Sequence, residues 1–311
     1  MEEQKPRDPR RWQILALASL LTYGVTVLDF DVVPAVALTL VGVAVLTQWL
    51  ASRAVGLPRF EVKSALISSL SLCLLLRAAS PREAAVVAVI TILSKFTVRA
   101  RGKHVFNPTN FGLVVGLLCI DGVWVSPGQW GSAAVAGFFF LCLGVFVVHR
   151  SRRTDVTWAF LAAWGGVLFG RALWLGDPLT IPWHQLQNGA LLLFAFFMIS
   201  DPKTTPNSRA GRIAWAVLVA TVAGYWQFAL FKPNGLLFAL VLSAPAVPLL
   251  DRLVPGERYD WGAAPTPSVP TPKGPLSSAP ISTPAAAAQP TPVPLALSRS
   301  RSRRRRELPS T

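Results

Sequence analysis

Ten apolar stretches, separated by short polar connections, constrain this chain more than any other feature of its sequence. Most of them approach the roughly 17–25 residues that a helix needs to cross a bilayer. They cover residues 12–28, 32–50, 64–79, 83–97, 109–125, 133–148, 156–175, 186–200, 212–230 and 235–250. Charged residues make up only 14% of the chain, against about 25% in a typical soluble domain. The sequence therefore predicts an all-α polytopic membrane protein with about ten transmembrane helices.

Lysine and arginine are distributed unevenly over the connections. The positive-inside rule places clusters of cations in cytoplasmic loops. One alternating set of connections holds Lys5, Arg7, Arg10 and Arg11; Arg53, Arg59 and Lys63; Lys95, Arg99, Arg101 and Lys103; Arg150, Arg152 and Arg153; and Lys203, Arg209 and Arg212. The opposite connections hold Arg77, Arg82 and Lys232. We therefore expect both termini on the cytoplasmic side.

Two short strings indicate an internal duplication. Phe106-Asn107-Pro108-Thr109-Asn110-Phe111-Gly112-Leu113 opens the fifth stretch, and Phe231-Lys232-Pro233-Asn234-Gly235-Leu236 opens the tenth. With Thr109 and Phe111 treated as insertions, the strings share Phe, Pro, Asn, Gly and Leu in the same order. An odd number of spans in each half forces the halves to insert upside down relative to each other. We expect a 5+5 inverted repeat, with halves at about 12–125 and 133–251 and with short or broken helices five and ten.

Both strings place a proline where a helix would begin. Proline suits the first helical turn, because its missing N–H would have no partner there. We therefore expect both helices to start at the proline, with their amide ends pointing toward the membrane interior. Paired helix starts of this kind favour an anionic or electron-rich ligand.

Two sequence blocks resemble a known family. The first string behind its basic loop, together with Phe197-Met198-Ile199-Ser200-Asp201-Pro202-Lys203-Thr204-Thr205-Pro206 and Gly211-Arg212, resembles the D subunit of the Rnf electron-transport complex. It is also similar to the B subunit of the sodium-pumping NADH:quinone reductase. The resemblance implies a ten-helix membrane subunit, with a fold shared with urea transporters, that carries flavin in a complex moving Na⁺ or H⁺. Other membrane subunits and the bacterial cytoplasmic (inner) membrane follow as expected partners and location.

The resemblance and the two strings together define the candidate cofactor site. Its residues are Asn107, Pro108, Thr109, Asn110, Asp201, Lys203, Thr204, Thr205 and Asn234. A simpler interpretation exists for each part. The residues from 107 to 110 are also typical of a helix cap, and those from 201 to 205 of a turn in which Pro202 ends one helix and Thr205 or Ser208 caps the next.

The chain departs from the resembled family in one motif. Those subunits carry FMN linked to a threonine in a Ser/Thr-Gly-Ala-Thr motif outside the membrane, and no such tetrapeptide occurs in this sequence. The outer loop at 121–132 has serines but no threonine. We therefore expect any flavin, FMN or riboflavin, to be bound noncovalently.

Ionisable residues inside apolar segments are costly and are usually functional or paired. Asp121, in the broken fifth segment, is the candidate for a cation or proton pathway. Arg77 and Arg171 lie near segment ends, where snorkelling to the interface would explain them. Cys73, Cys119 and Cys142 lie on separate segments without a Cys-x-x-Cys pair, so we expect neither an iron–sulfur cluster nor another metal site.

The two ends of the chain differ from the transmembrane domain predicted over 12–251. Residues 1–11 form a basic N-terminus, and residues 252–311 form a Pro/Ala/Ser/Thr-rich tail with an Arg-rich end. Such a tail cannot bury a core, so we expect disorder. The net charge of +15 comes from the cytoplasmic loops and this tail. Anionic lipid is therefore the expected partner of the tail, and nucleic acid is not.

Two function classes remain. The first is an electron-transfer subunit in which the protein holds a flavin and the cofactor performs the redox chemistry. The second is a channel or transporter for a small polar solute, with the two helix starts lining a central pore.

Overall fold

The computed structural model describes Asp8 and residues 10–58, 60–126 and 154–259. The described chain is mostly helical, with two small antiparallel sheets. The elements are α1 Arg10–Val27, α2 Pro34–Ala54, α3 Val62–Leu75, β1 Leu76–Ala78, α4 Pro81–Thr97, β2 Arg99–Ala100, β3 Lys103–His104, α5 Pro108–Cys119, β4 Val123–Val125, α6 Thr154–Leu175, α7 Thr180–Leu186, α8 Gly189–Leu193, α9 Arg209–Gly224, α10 Gly235–Ser243 and α11 Ala246–Leu253. Two π-helical turns extend α8 over Phe194–Met198 and α9 over Tyr225–Ala229.

Each predicted apolar stretch that falls within the described residues contains a helix. Two of these helices are long and apolar enough to cross a membrane, α2 with 21 residues and α6 with 22. A third candidate consists of α10 and α11, which are bent by 50° at their break. The helical membrane class agrees with these helices, while the ten-span inverted repeat stays a prediction. The sixth stretch, most of the loop at 121–132 and the tail beyond residue 259 lie outside the described residues.

The fifth stretch folds as a short helix, as its sequence predicts. α5 has 12 residues and ends at Cys119. The chain then turns at Asp121 and Gly122 and forms β4, which pairs antiparallel with β1 so that Trp124 lies opposite Arg77. Strand pairing satisfies the backbone groups that a broken span would otherwise leave open.

The two Pro-Asn strings begin their helices differently. α5 begins at Pro108 with Asn107 as its cap, as predicted. α10 begins at Gly235, so the expectation that it would start at Pro233 is wrong. Asn234 is the residue before that helix and adopts the left-handed conformation, with φ of 58°. Asparagine tolerates this conformation better than most residues, and the chain therefore turns sharply into α10.

Helix packing follows the same order in both halves of the described chain. In the first half α2 packs against α4, and α4 packs against α5. In the second half α6 packs against α9, and α9 packs against α10. The two sets meet where α5 contacts α10.

Small residues allow the close approach of these helices, as is usual in membrane helix packing. A Cβ atom at Gly112 of α5 would lie 1.8 Å from the Thr91 hydroxyl oxygen of α4. A Cβ at Gly235 of α10 would lie 3.1 Å from the Ala223 carbonyl oxygen of α9. The glycine that the two strings share therefore serves helix packing in both halves.

The arginines near segment ends have specific partners. Arg77 is only 7% exposed and donates hydrogen bonds to the carbonyl oxygens of Cys73 and Leu76 at the end of α3. The expectation that Arg77 snorkels to the interface is therefore wrong, because its guanidinium is used inside the protein to cap α3. Arg171 is half exposed and pairs with Asp177 at 3.5 Å.

Candidate functional site

The start of α5 is held by the side chain of Asn107. Its oxygen accepts a hydrogen bond from the Asn110 amide at 3.1 Å, which is the predicted N-cap contact. Its Nδ2 group donates to the Met198 carbonyl oxygen at 3.2 Å. Of the first-turn amides of α5, that of Thr109 donates to no described residue. The cap thus fixes α5 against the end of α8 and leaves one buried backbone donor near the helix start.

Asn110 connects α5 with α10. Its Nδ2 group donates to the Leu237 carbonyl oxygen at 2.9 Å, and the residue is 1% exposed. Its Oδ1 atom has no hydrogen-bond partner among the described residues. Asn110 therefore bridges the two short helices that follow the two Pro-Asn strings.

The segment from Asp201 to Thr205 is a turn, as the simpler interpretation predicts. The Asp201 carboxylate accepts from the Lys203 amide at 3.0 Å, and the Asp201 carbonyl accepts from the amides of Thr204 and Thr205 at 3.1 Å. Ser208 then caps α9 by accepting from the Gly211 amide. The Thr205 hydroxyl is fully buried and has no partner among the described residues.

A cavity of about 1050 Å³ brings part of the two sequence blocks together. The predicted residues that line it are Asn107, Pro108, Thr109, Asp201 and Lys203. The predicted residues Asn110, Thr204, Thr205 and Asn234 do not line it. The helix start and the turn, 92 positions apart between Thr109 and Asp201, therefore face one space.

Several residues of this cavity lie on α2 and α3, and sequence reasoning missed them. Ser64, Ser68 and Ser71 line it from α3, and Gln48 lines it from α2. Their spacing of four and three residues places the serines on one helix face, and this stripe in an apolar stretch was a usable signal. Gln48 is 4% exposed, and its Oε1 atom has no hydrogen-bond partner among the described residues.

A buried cation also lines the cavity, and it too was missed as a site residue. Lys95, in the last turn of α4, is 5% exposed and donates from Nζ to the carbonyl and hydroxyl oxygens of Ser64 at 2.9 and 3.1 Å. Among the described residues, no carboxylate lies within the 4.0 Å of an ion pair with it. Asp201 acts on it electrostatically from a greater distance.

His104 also lines the cavity, and nearby cations affect its pKa. Burial is the largest of the causes that lower the pKa of His104, from 6.5 to about 4. The positive charges of Arg99, Lys95 and Lys203 act in the same direction. His104 is therefore neutral at pH 7, and its buried Nδ1 atom has no hydrogen-bond partner among the described residues.

Ion pairs close the rim of the cavity. Asp8 pairs with Arg10 at 3.0 Å and with Lys63 at 2.6 Å, and Arg10 also pairs with Glu61. These four residues all line the cavity. The two acids of the rim are thus matched by its two paired cations.

A second contact fixes the turn to the loop before α5. Lys103 Nζ donates to the Thr205 carbonyl at 2.7 Å, to Asn207 Oδ1 at 3.0 Å and to Asp251 Oδ2 at 2.9 Å. The Asp251 carboxylate also accepts from the Asn207 amide at 2.7 Å. This clamp holds the turn at 201–205 beside the start of α5.

Asp121, the predicted ion contact, does not line this cavity. It lies beyond the end of α5 in an exposed turn. Its role in an ion pathway stays a prediction.

Comparison with known proteins gives this site its context. Residues 118–260 match the model of the NQR2, RnfD, RnfE family. The chain is related to this family. The resemblance inferred from the two sequence blocks is therefore confirmed.

Three curated relatives illustrate the similarity. The D subunit of the ion-translocating oxidoreductase complex of Erwinia tasmaniensis is 31% identical over 169 residues, which cover 52% of this chain and 43% of that protein. The corresponding proteins of Salmonella paratyphi B and of Salmonella newport are 33% identical over 129 residues, which cover 40% of this chain and 34% of each relative. The chain thus aligns with less than half of the length of these relatives.

The range of the family match divides the site. The turn at 201–205 and Asn234 fall inside the matched residues of the NQR2, RnfD, RnfE family, whereas Asn107 to Asn110 precede them. The cavity is therefore lined by a turn inside the matched range and by a helix start outside it.

Proposed function

We propose that this chain is an integral membrane subunit of an RnfD-like ion-translocating oxidoreductase complex and that its cavity binds a flavin noncovalently. The observation that carries the flavin proposal is the convergence of the Asn107–Thr109 helix start and the Asp201–Lys203 turn on one cavity. The names of the relatives support the complex, because each relative is the D subunit of such an assembly.

The residues of the cavity fit a flavin in size and chemistry. Ligand pockets commonly measure about 300–1000 Å³, and this cavity, at about 1050 Å³, is large enough for a three-ring cofactor. Pro108, Phe197 and Met198 give it apolar surface, which suits a flat ring system. Unpaired polar atoms of Gln48 and His104 are available to the polar edge of such a ring.

The roles of the protein groups follow from their positions. A bound flavin would supply one- and two-electron chemistry. The Thr109 amide and the positive end of α5 would stabilise negative charge on the ligand, since both direct positive potential into the site. The Asn107 cap would keep this helix start rigid.

We propose the 5+5 inverted repeat as the frame of this site. The matching order of helix contacts in the two halves and the two short helices that meet at Asn110 support it. Both termini would then be cytoplasmic, in a bacterial inner membrane, with the basic tail against anionic lipid. Asp121 would lie on the outer side, at the end of an ion pathway.

Accessibility labelling tests the topology. Arg101→Cys and Lys232→Cys, both at exposed positions, are introduced separately into a chain whose own cysteines are replaced by serine or alanine. We expect a membrane-impermeant maleimide to label Lys232→Cys in intact cells and Arg101→Cys only after permeabilisation. Labelling of both from the same side would contradict the inverted repeat.

The cofactor proposal is tested on the detergent-purified full chain. We expect flavin absorbance in the native protein and release of the flavin on denaturation, because the chain lacks the Ser/Thr-Gly-Ala-Thr attachment motif. Asn107→Leu should lower flavin content, whereas Thr39→Ala, on α2 but outside the cavity, should retain it. Protein that never takes up flavin would refute the proposal, and flavin mass retained on a peptide would refute noncovalent binding.

The serine stripe of α3 favours one alternative, a channel or transporter for a small polar solute. Three hydroxyl side chains facing a cavity inside an apolar helix are typical of a hydrated path. Against a central pore stands the hydrogen bond from Asn110 to Leu237, which closes the contact between α5 and α10. Colourless protein that conducts solute in liposomes would establish this alternative.

A further inference from the structure

Lys95 is a buried cation whose hydrogen bonds to Ser64 provide no opposite charge. An ammonium group has three N–H donors, and oxygen atoms of Ser64 accept from it at two positions. A charge removed from water costs several kcal/mol unless it is paired. No carboxylate of the described chain lies within ion-pair distance of Lys95. The cavity that Lys95 lines provides the space for a counter-ion.

Two further cations line the cavity with Lys95. Arg99 and Lys203 line the same cavity, and both act, with Lys95, on the buried His104. We call Lys95, Arg99 and Lys203 the basic cluster. Asp201 is the acid that opposes it, since the two acids of the rim are already paired with Arg10 and Lys63.

A neutral donor lies in the wall of the same space. Thr109, 5% exposed, has the first-turn amide that donates to no described residue, at the positive end of α5. Lysine and arginine side chains combined with helix-start amides are the usual means by which proteins bind phosphate.

We propose that the basic cluster binds a phosphate monoester group, with Lys95 as its buried counter-ion. This inference rests on the proposed function where the ligand is a flavin: the cavity would then select FMN, which carries a phosphate, over riboflavin, which lacks one. The same chemistry is present in the headgroup of phosphatidic acid, which reaches a membrane protein from the lipid.

The decisive measurement compares FMN with riboflavin on the full chain in detergent, freed of any flavin that it retains on purification, by quenching of flavin fluorescence. Charge-assisted contacts to a phosphate should make FMN bind about tenfold or more tightly than riboflavin. Lys95→Met should reduce the ratio of the two dissociation constants toward one, and Lys95→Arg should retain most of it. Arg53→Met, which removes an exposed cation on the same predicted side but outside the cavity, should leave the ratio unchanged.

Two features keep this test independent of folding defects. The comparison of FMN with riboflavin needs no variant, and Lys203→Gln changes a half-buried member of the cluster that lies in a turn. Melting temperatures of each variant separate loss of the site from loss of the fold. Equal affinity of the wild-type chain for FMN and riboflavin would overturn the phosphate site while leaving the flavin proposal standing.

The lipid source is tested separately with phosphatidic acid in mixed micelles. Binding of phosphatidic acid that Lys95→Met weakens, without binding of either flavin, would support the phosphate site and refute the flavin proposal. Binding of neither FMN nor phosphatidic acid would overturn the phosphate site.

Discussion

The side chain of Asn110 donates from Nδ2 to the Leu237 carbonyl oxygen at 2.9 Å and thereby joins the first turns of α5 and α10. One of the two similar Pro-Asn strings precedes each helix, so the strings lie where α5 and α10 meet. Because the residue is 1% exposed, this hydrogen bond is shielded from water.

Replacing Asn110 by alanine should destabilise the contact between the halves. Loss of a buried hydrogen bond and of side-chain volume costs about 1–3 kcal/mol, which corresponds to a fall in melting temperature of about 3–10 °C. Thermal unfolding in detergent, followed by tryptophan fluorescence, measures it. Thr39→Ala, whose hydroxyl bonds only within its own helix, is the control, and an equal effect of both changes would contradict the role of Asn110.

Gly112→Ala should separate α5 from α4. The added methyl group would lie 1.8 Å from the Thr91 hydroxyl oxygen, and such overpacking costs about 1–3 kcal/mol. Gly42→Ala in α2 is the matched control, because its methyl group would meet no atom within 4 Å. Thr91→Ala should relieve the defect in part, since the 1.8 Å contact disappears and a 2.9 Å contact remains. A stable Gly112→Ala protein with unchanged melting would refute the close-packing argument.

Lys103→Met should release the turn at 201–205 from the loop before α5. The change removes three hydrogen bonds and leaves Asp251, whose side chain is 10% exposed, without its cation. Breaking a largely buried ion pair typically costs about 3–5 kcal/mol. We expect a lower melting temperature and faster trypsin cleavage after Lys203. Because Asp251→Asn disrupts the same clamp, the double variant should lose less than the sum of the single losses, whereas strict additivity would show that the two residues act independently.

Acid should destabilise the protein in part through His104. Folding lowers the pKa of His104 from 6.5 to about 4, chiefly because of burial. Between these two pH values the histidine is therefore protonated in the unfolded chain and neutral in the folded chain. The free energy of unfolding is therefore unaffected by this group above pH 6.5, and it decreases as the pH falls from 6.5 toward 4. We expect His104→Gln, which cannot take up this proton, to flatten the decline of the melting temperature over that range. An unchanged pH profile in this variant would show that other groups control the acid response.

Patterns of neighbouring residues predicted those helices and helix starts that depend on interactions between neighbouring residues. The apolar stretches predicted the helices, and Asn107-Pro108 predicted the start of α5, because capping and proline geometry depend on adjacent residues. The same reasoning was wrong for Pro233. There Asn234 adopts the left-handed conformation and α10 begins only at Gly235, which lies close to the Ala223 carbonyl oxygen of α9.

Apolar stretches and the loop charges were enough to predict a helical, apolar chain with an asymmetric charge distribution. Two blocks of residues were enough to indicate the family that it resembles. Which polar residues share a cavity became visible only in the folded chain. The same cavity is lined by Thr109, Asp201, Gln48, Ser64 and Lys95, and no two of these residues are adjacent in the sequence. This is because the place of a residue in the sequence does not specify whether its side chain faces lipid, another helix or a cavity. That environment is set by packing between distant helices, and the packing also buried Lys95 at the cavity wall without a carboxylate at ion-pair distance within the described residues.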